Sequence, residues 1–579
     1  MEALASGLVP WRGTSMTIPY LLDSRRLTGR TILLDGPGAV IETRPPPELK
    51  TLLGARWRRE VRRFTLALGW GDLERTTRWF APTLHCALAA PIDQLLVATY
   101  VAEWAWELAL STPLGHEVPR RSRILARLQR RAENAANPAL VAFRERALKE
   151  HAQLLIGDGD LSVGEGAAAQ TFAYAAVPDP DSIDWPATRH RLPVALVTGT
   201  NGKTTTTRLL ARIAANAGRV TGHCCTDSVE VGGAVLDRDD YSGPGGARKV
   251  LRHPRTEFAV LEVARGGMLR RGLSVRTADV AVVTNIADDH LNDMGIHTLG
   301  QLAEVKFLVT RALKRHGVLV TNAENEWCRH EAKRSGCEIA WFAVDPPSSS
   351  LLRSTHGLRG VATLRDGRLC YEQAHRRIDL IGLNEIGLPG GASARHNIAN
   401  CLAAAAAAIQ LKLPLAAVRR TLREFGRSVD DNPGRANLYS LKSGAQVLAD
   451  FGHNPDSLAA IFNTARGLPH QRLLVSIGQA GDRGDDAIRE LGRLAAAERP
   501  DLLILKDMPK YRRGREPGEI PALLREGARA GGLADERIAE LEGDTDALDR
   551  ALGWLQPGDL AVMFVHSEVE NVFGRLREG

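Results

Sequence analysis

The chain has 579 residues, which is too long for one hydrophobic core. Of these residues, 44% are hydrophobic and 25% are charged, a composition typical of a globular protein. No apolar run is long enough to span a membrane and no leader peptide is evident, so we expect a cytoplasmic protein without membrane contact. The net charge of +7 is unaccompanied by a nucleic-acid-binding motif, and the seven scattered cysteines favour reduced thiols over disulfides or a zinc site.

The first block, residues 1–185, contains no phosphate-binding motif and is predicted to form a separate α+β domain. Residues 93–108 carry apolar side chains at helical spacing and predict a helix. Two arginine-rich stretches, 56–63 and 120–131, either attract an acidic partner or cover solvated helix faces. We therefore expect this block either to recognise a substrate or partner or to have a structural role. Residues 177–186 are rich in Pro and Asp and are predicted to form a linker.

The second block, residues 186–428, alternates apolar strands with helical segments, which predicts a mostly parallel sheet. A predicted strand over 193–197 leads into the run VTGTNGKTTT at 197–206, and a helix is predicted over 208–217. A strand, a Gly-Lys-Thr loop and a helix bind phosphate through backbone N–H groups and the helix N-terminus. Because Val197 stands where the full Walker spacing requires Gly, this is a shortened variant, and a plain Gly-rich turn is the alternative.

The third block, residues 429–579, also alternates strands with helices and is predicted to be α/β. The strands predicted for the second and third blocks are 258–262, 280–284, 317–321, 446–450, 473–477, 502–505 and 560–564.

Polar residues follow the loop near the carboxyl ends of predicted strands, the edge where ligands bind in open α/β sheets. Glu262 ends a strand and offers oxygen to a hard cation. Asn285 and His290 follow the next strand, and His290 is a candidate metal ligand. Lys306 is a lone lysine among apolar positions of a predicted helix, and Asn397 belongs to the sequence HNIAN at the start of an Ala-rich helix.

Together and in this order, these features resemble the Mur ligase family of ATP-dependent, amide-forming ligases. The family shares the GTNGKT loop, the strand-end Glu, the TN…DH box, the helical Lys and the HNxxN box. The Gly-Arg pair at 434–435, DxxHNP at 450–455 and GQAGDR at 478–483 extend the resemblance over about 193–579. It implies a central P-loop ATPase domain and a C-terminal Rossmann-like domain.

Within the family, the chain is most similar to the Mur ligase-like domain of cyanophycin synthetases. The similarity lies in LEVARGGMLRRGL at 261–273, in Thr226-Asp227 and in RGREPGE at 513–519. Cyanophycin synthetases also carry an ATP-grasp domain, for which the residues before Val194 leave no room. The resemblance therefore implies a cyanophycin synthetase-like ligase and leaves its product open. Such a ligase would act either as a homo-oligomer or together with a separate ATP-grasp ligase.

The resemblance also implies roles for residues at matching positions. ATP activates a carboxylate to an acyl phosphate, which an amine attacks; Thr204 and Glu262 hold one Mg²⁺, His290 holds a second, and Lys306 is carbamylated. The implied catalytic residues are Lys203, Lys306, His290 and Arg435. The implied nucleotide-binding residues are Gly199, Thr200, Asn201, Gly202, Lys203, Thr204, Thr205, Asn285, Asn397, Arg435 and Asp450.

Arginine matches carboxylates geometrically, so an amino acid or an acidic peptide is the expected substrate. The candidate substrate contacts are Arg265, Arg270, Arg271, His453, Asn454, Arg513 and Arg515. Structural or solvated arginines are the alternative. The alternative functions are a P-loop ATPase or kinase that does not ligate, and an inactive ATP-binding partner subunit.

Overall fold

The computed structural model describes residues 18–189, 192–289, 291, 293–374 and 376–578. The first block contains a four-stranded antiparallel sheet in the order β1-β2-β4-β3 and a three-stranded sheet β5-β6-β7. Its strands are β1 Leu21–Leu27, β2 Gly38–Thr43, β3 Arg75–Phe80, β4 Thr83–Ala89, β5 Leu154–Ile156, β6 Asp160–Val163 and β7 Gln170–Ala173. Its helices are α1 Lys50–Ala67, α2 Leu95–Ser111, α3 Arg121–Ala135, α4 Pro138–Lys149 and α5 Trp185–Thr188. This is the predicted α+β architecture.

The core of the first block lies between the four-stranded sheet and helices α1 and α2. Trp57 and Trp106 are fully buried there, and the Trp57 indole N–H donates to the Ala102 carbonyl at 3.0 Å. The helix expected over 93–108 is α2. The segment expected as a linker, 177–186, instead packs against this core, because Trp185 is buried against Phe143 with their ring centroids 5.4 Å apart.

The second block is built on an eleven-stranded sheet in the order β11-β10-β9-β12-β8-β13-β14-β15-β16-β17-β18. Its strands are β8 Val194–Thr198, β9 Thr221–Cys224, β10 Val229–Val231, β11 Ala234–Asp237, β12 Phe258–Glu262, β13 Ala278–Val283, β14 Leu313–Asn322, β15 Glu338–Ala343, β16 Leu358–Arg365, β17 Arg368–Gln373 and β18 Arg376–Gly382. Its helices are α6 Lys203–Asn216, α7 Pro244–Arg252, α8 Arg265–Arg271, α9 Leu299–Phe307, α10 Glu326–Ser335, α11 Ser349–Ser354, α12 Arg395–Gln410 and α13 Leu415–Glu424.

The predicted mostly parallel sheet is confirmed, since every pair from β9 to β16 is parallel and only the two ends of the sheet are antiparallel. Helix α6 begins five residues earlier than the expected 208, and the threonines of its first turns are buried. Tertiary packing there overrides the modest helix propensity of β-branched residues.

The third block contains a six-stranded sheet in the order β19-β20-β24-β21-β22-β23, in which only β19 is antiparallel. Its strands are β19 Asn437–Ser440, β20 Gln446–Asp450, β21 Leu473–Gly478, β22 Leu502–Asp507, β23 Ile538–Glu542 and β24 Leu560–Phe564. Its helices are α14 Pro455–Arg466, α15 Asp485–Ala497, α16 Glu519–Ala530, α17 Gly543–Trp554 and α18 Val569–Glu578. Among the described residues of the whole chain, no helix has the length and hydropathy needed to cross a membrane.

Candidate active site

The loop between β8 and α6 requires glycine at two positions. Gly199 has φ +147° and Gly202 has φ +81°. A Cβ atom on Gly199 would lie 1.8 Å from the Thr284 hydroxyl oxygen, and one on Gly202 would lie 2.2 Å from Asn400 Oδ1. At both positions the backbone lies too close to its neighbours for any residue with a side chain. The N–H groups of the loop therefore lie beside the N-terminus of α6.

A hydrogen-bond network joins this loop to the segment that follows β13. The N–H groups of Thr200 and Asn201 donate to the carbonyl and to Oδ1 of Asn285, each at 2.9 Å. The Thr284 hydroxyl donates to the Asn201 carbonyl at 2.6 Å. Because β8 and β13 are adjacent and parallel, their carboxyl ends meet at one sheet edge, and the network holds both loops there.

Lys203 is the first residue of α6, and its ammonium donates to the Thr200 carbonyl at 2.8 Å. The side chain thus lies across the loop, with its positive charge at the helix N-terminus, where an anion would be stabilised. Thr205 faces the third block instead: its hydroxyl accepts from the Asn432 amide at 3.1 Å.

Glu262, at the end of β12, is 1% exposed and accepts hydrogen bonds from the hydroxyls of Thr204 at 2.9 Å and Thr226 at 3.0 Å. Burial raises the pKa of its carboxyl group, and the nearby Lys203 ammonium opposes that rise. The described residues contain no cluster of three or more His, Cys, Asp or Glu side chains suited to a metal. The carboxylate of Glu262 and the hydroxyl of Thr204 nevertheless fit a Mg²⁺ ion that takes its other ligands from phosphate and water.

Lys306, on α9, is 5% exposed, and its Nζ donates to the Gly199 carbonyl at 2.6 Å. Burial lowers the pKa of its ammonium group well below the ordinary range, and the charge of Lys203 lowers it further, while Asp289 opposes both effects. Both effects favour the neutral amine over the ammonium ion. Neutral amines are nucleophilic, whereas ammonium ions are not.

The third block supplies Arg435 and Asp450 to the same cleft. Arg435 lies 3.3 Å from the Asp227 carboxylate and over the Phe451 ring. Burial alone would lower the pKa of Arg435, but the carboxylates of Asp227, Asp450 and Glu262 raise it above its ordinary value. Asp450 accepts from the N–H groups of Ala436 at 2.7 Å and Gly452 at 2.6 Å.

Two contacts close the third block against the loops of the second. The side-chain amides of Asn201 and Asn454 exchange hydrogen bonds at 3.0 and 3.2 Å. Across the cleft, Arg483 approaches Asp289 at 3.4 Å, and His453 Nε2 lies 3.8 Å from the same carboxylate. These contacts join the third block to the loop between β8 and α6 and to the segment after β13 in this conformation.

A cleft of about 900 Å³ collects most of the residues predicted from the sequence. Those that line it are Thr200, Asn201, Gly202, Lys203, Thr204, Thr205, Arg265, Arg270, Arg271, Asn285, Lys306, Asn397, Arg435, Asp450, His453 and Arg513. Gly199, Glu262 and Asn454 lie directly behind this lining through the hydrogen bonds given above. His290 lies outside the described residues.

The candidate substrate arginines differ in their surroundings. The guanidinium of Arg265 is buried against Asp293, whose carbonyl accepts from Nη1 at 3.2 Å. Arg515 does not line the cleft: it donates to the carbonyls of Gly481 at 2.9 Å and Arg483 at 2.8 Å, and so braces the GQAGDR loop. Arg270 and Arg513 line the cleft, and the Arg513 guanidinium lies 5.7 Å from the centre of the Tyr511 ring.

Sequence reasoning missed His566, which also lines the cleft. Its Nε2 lies 3.0 Å from the Gly452 carbonyl, and burial lowers its pKa to about 3, so it is a neutral imidazole whose Nε2–H donates to that carbonyl. The sequence does contain a signal for His566, and it is the same as for Glu262 and His290. In each case a polar side chain lies at or just after the end of a buried strand, which here is β24.

Two family profiles match the chain. The Mur ligase middle domain matches residues 197–408, and the Mur ligase glutamate ligase domain matches residues 434–564, together more than half of the chain. The chain belongs to the Mur ligase family, as the arrangement of loop, strand-end carboxylate, helical lysine and second domain had indicated.

Individual relatives cover different shares of the chain. The cyanophycin synthetase of Crocosphaera subtropica is 34% identical over 395 residues, which are 68% of this chain and 44% of that protein. The chain thus spans less than half the length of this relative. The UDP-N-acetylmuramoyl-L-alanyl-D-glutamate–2,6-diaminopimelate ligase of Geobacillus thermodenitrificans is 26% identical, over 73% of this chain and 83% of that protein. A crystal structure of MurF from Acinetobacter baumannii aligns with a TM-score of 0.49 and 20% identity over 67% of this chain and 77% of that one.

Proposed function

We propose that this protein is an ATP-dependent, ADP-forming carboxylate–amine ligase that makes an amide bond on an amino acid or peptide. The observation that carries the proposal is one cleft that combines a phosphate-binding loop, a buried strand-end carboxylate, a buried lysine and charged groups from a second domain. Phosphate transfer requires mainly positioning and charge neutralisation, and these residues provide both.

In the proposed reaction, a substrate carboxylate oxygen attacks the γ-phosphorus of ATP, and ADP leaves. An amine then attacks the acyl carbon, phosphate leaves, and the amine loses a proton as the amide forms. Lys203 and the N–H groups of the first turn of α6 would hold the β- and γ-phosphates, since those of Thr200 and Asn201 donate to Asn285. Thr204 and Glu262 would hold a Mg²⁺ ion that neutralises phosphate charge. The third block excludes water from the acyl phosphate while it covers the loop.

Lys306 is proposed to act as a carbamate. Burial lowers the pKa of this lysine and so favours the neutral amine, which would attack CO₂ and lose a proton. The product would place an anion beside the loop instead of a cation. An anion there would support a second Mg²⁺ ion, with His290 as the other ligand proposed from the sequence.

The proposed substrate class is an amino acid or a short acidic peptide. Arg270, Arg271 and Arg513 line the cleft and have the planar donor geometry that carboxylates match.

The test is a screen of the full chain with MgATP over amino acids and short acidic peptides, with ADP and product measured by coupled assay and mass spectrometry. We expect ADP release that requires both a carboxylate and an amine. Lys203→Ala should lower turnover by about 10²-fold or more, because a charge contact to the transferred phosphate is lost. Lys333→Ala, an exposed lysine of the same domain, is the control and should behave as wild type.

Three outcomes would contradict the proposal. ADP release that needs no amine would favour an ATPase or kinase without ligation. Nucleotide binding without turnover across the screen would favour an inactive partner subunit. Full activity of the Lys203→Ala protein would exclude the assigned loop chemistry.

A further inference from the structure

Helix α8 carries Arg265, Arg270 and Arg271 and is too short and too rich in glycine to be stable by itself. It has seven residues and begins Arg265-Gly266-Gly267. Each interior glycine costs about 1 kcal/mol relative to alanine, and isolated helices of this length are unstable in water. The directions in which Arg265, Arg270 and Arg271 point must therefore be set by what packs against the helix.

The C-terminal carbonyls of α8 are capped by the first block. Arg25 Nε, on strand β1, donates to the Leu269 carbonyl at 3.0 Å. The N–H groups of Thr28 and Gly29 donate to the Arg271 carbonyl at 2.9 and 3.0 Å. The last carbonyls of a helix have no partner within it, so these donors from 240 residues earlier in the chain terminate α8.

The two backbones touch immediately after this cap. The Leu273 N–H donates to the Arg30 carbonyl at 2.7 Å. Gly272 has φ +85°, and a Cβ on Gly29 would lie 2.2 Å from the Leu273 carbonyl oxygen. The backbone that follows β1 is therefore in direct contact with the end of α8, with no room for a side chain at Gly29.

The N-terminal end of α8 is tied to the first block indirectly. Arg265 is paired with Asp293, in the segment between β13 and α9. That segment presses against strand β4, since a Cβ on Gly295 would lie 1.9 Å from His85 Nε2. Both ends of α8 therefore depend on the four-stranded sheet.

The same sheet also contacts the helix that carries Lys306. Arg78, on β3, makes a two-pronged ion pair with Glu304 on α9, with Nη1 and Oε1 at 2.6 Å. Glu304 lies two residues before Lys306 on this helix. The contacts of β1, β3 and β4 thus converge on the two helices that present charged side chains to the cleft.

We propose that the four-stranded sheet of the first block is a positioning scaffold for the substrate side of the cleft, and that Arg25 is a positioning residue for Arg265, Arg270 and Arg271. It acts by capping α8 and not by touching substrate. The inference rests on the proposed function for the ligand class, an acidic peptide, but the geometry of α8 can be tested without any activity.

The first experiment compares hydrogen exchange in the full-length Arg25→Met, Arg25→Lys and Arg75→Met proteins by mass spectrometry. Arg75 is the matched control, because it lies in the same sheet and also donates to a carboxylate and a carbonyl, those of Asp72 and Leu73. We expect amides of 265–273 to exchange about tenfold faster in Arg25→Met, partial recovery in Arg25→Lys, and wild-type exchange in Arg75→Met.

The second experiment measures binding of a tri-aspartate peptide and of MgADP by calorimetry. We expect Arg25→Met to weaken tri-aspartate binding about tenfold and to leave MgADP binding unchanged, because the nucleotide loop is held by Asn285 and not by β1. Arg75→Met should bind both ligands as wild type does.

The outcomes separate this inference from the proposed function. Unchanged exchange over 265–273 in a folded Arg25→Met protein would overturn the positioning role, as would equal acceleration in Arg75→Met. Faster exchange with no tri-aspartate binding by the wild type would keep the role of Arg25 as the cap of α8 and reject the acidic-peptide part of the proposed function. Equal weakening of MgADP binding would indicate general damage and overturn the selective role.

Discussion

At the residue scale, the site depends on charges that burial alters. Glu262 and Lys306 are both almost completely buried, and burial raises the pKa of the carboxyl group and lowers that of the amine. Each shift favours the neutral form, because burial removes the water that would stabilise the charge. A cation beside Glu262 would favour its carboxylate again. The two shifts thus indicate a site whose charges are balanced only when its ligands are bound.

We predict that Lys306→Ala lowers ligation by about 10²-fold or more and that acetate partly restores it, since acetate supplies the lost anion. Wild-type protein incubated with ¹³C-bicarbonate should show a carbamate resonance in NMR spectra that is absent from the Lys306→Ala protein. The exposed Lys333→Ala protein is the control for both measurements. A free amine at Lys306 in active, metal-loaded enzyme would refute the carbamate.

At the element scale, one buried ion pair joins three elements of the third block. Lys506 on β22 pairs with Asp544 on α17, and both side chains are 1% exposed. Asp544 also accepts from the His566 N–H at 3.0 Å, just beyond β24. Burial alone would raise the pKa of Asp544, but Lys506 and His566 lower it far below its ordinary value. The network holds His566 beneath the Gly452 carbonyl at the edge of the cleft.

We predict that Asp544→Asn destabilises the protein by about 3–5 kcal/mol at pH 7, because it leaves the buried charge of Lys506 without its carboxylate partner. The depressed pKa of Asp544 contributes stability that is complete above the unfolded pKa near 3.9 and is lost as pH falls towards the folded value. In urea melts, the gap to wild type should be equal at pH 7 and 5 and narrower by about 1 kcal/mol at pH 3. A gap that widens at pH 3 would contradict this account.

At the scale of the whole molecule, the third block contacts the loop between β8 and α6 through few polar groups. The Asn201–Asn454 amide pair and the approach of Arg483 to Asp289 are the contacts nearest the loop. Two hydrogen bonds of this kind are worth about 1–3 kcal/mol in total, enough to shift an open–closed equilibrium by about tenfold or more. A ligand that binds between the two blocks can therefore shift this equilibrium towards the closed form.

We predict that Asn454→Ser lowers kcat about tenfold and enlarges the radius of gyration of the MgADP-bound protein in small-angle scattering. Serine keeps the helix cap that Asn454 provides to Ser457 at the start of α14, but it is too short to reach Asn201. Asn463→Ser, on the exposed side of the same helix, is the control. Unchanged scattering with unchanged kcat would show that this pair does not hold the closed state.

The amino-acid sequence alone determined the parts of the site that lie on continuous segments. The loop at 199–204, the strand ending at Glu262 and the helix around Lys306 were predictable, because short-range patterns of glycine, apolar runs and helical spacing specify them. The strand expected over 280–284 ends one residue early, and α6 begins five residues early, since element ends depend on tertiary contacts.

Only the tertiary structure decided which arginines face the cleft and what holds them. Arg515 is used within the GQAGDR loop, whereas Arg270 lines the cleft on a helix capped by Arg25, more than 240 residues away along the chain. The first block carries no local signal for this role, because a carbonyl-capping contact depends on main-chain geometry in two distant segments and not on residue type in either. A sequence pattern reports periodicity and local chemistry, while the pairing of distant segments is set by the packing of the folded chain.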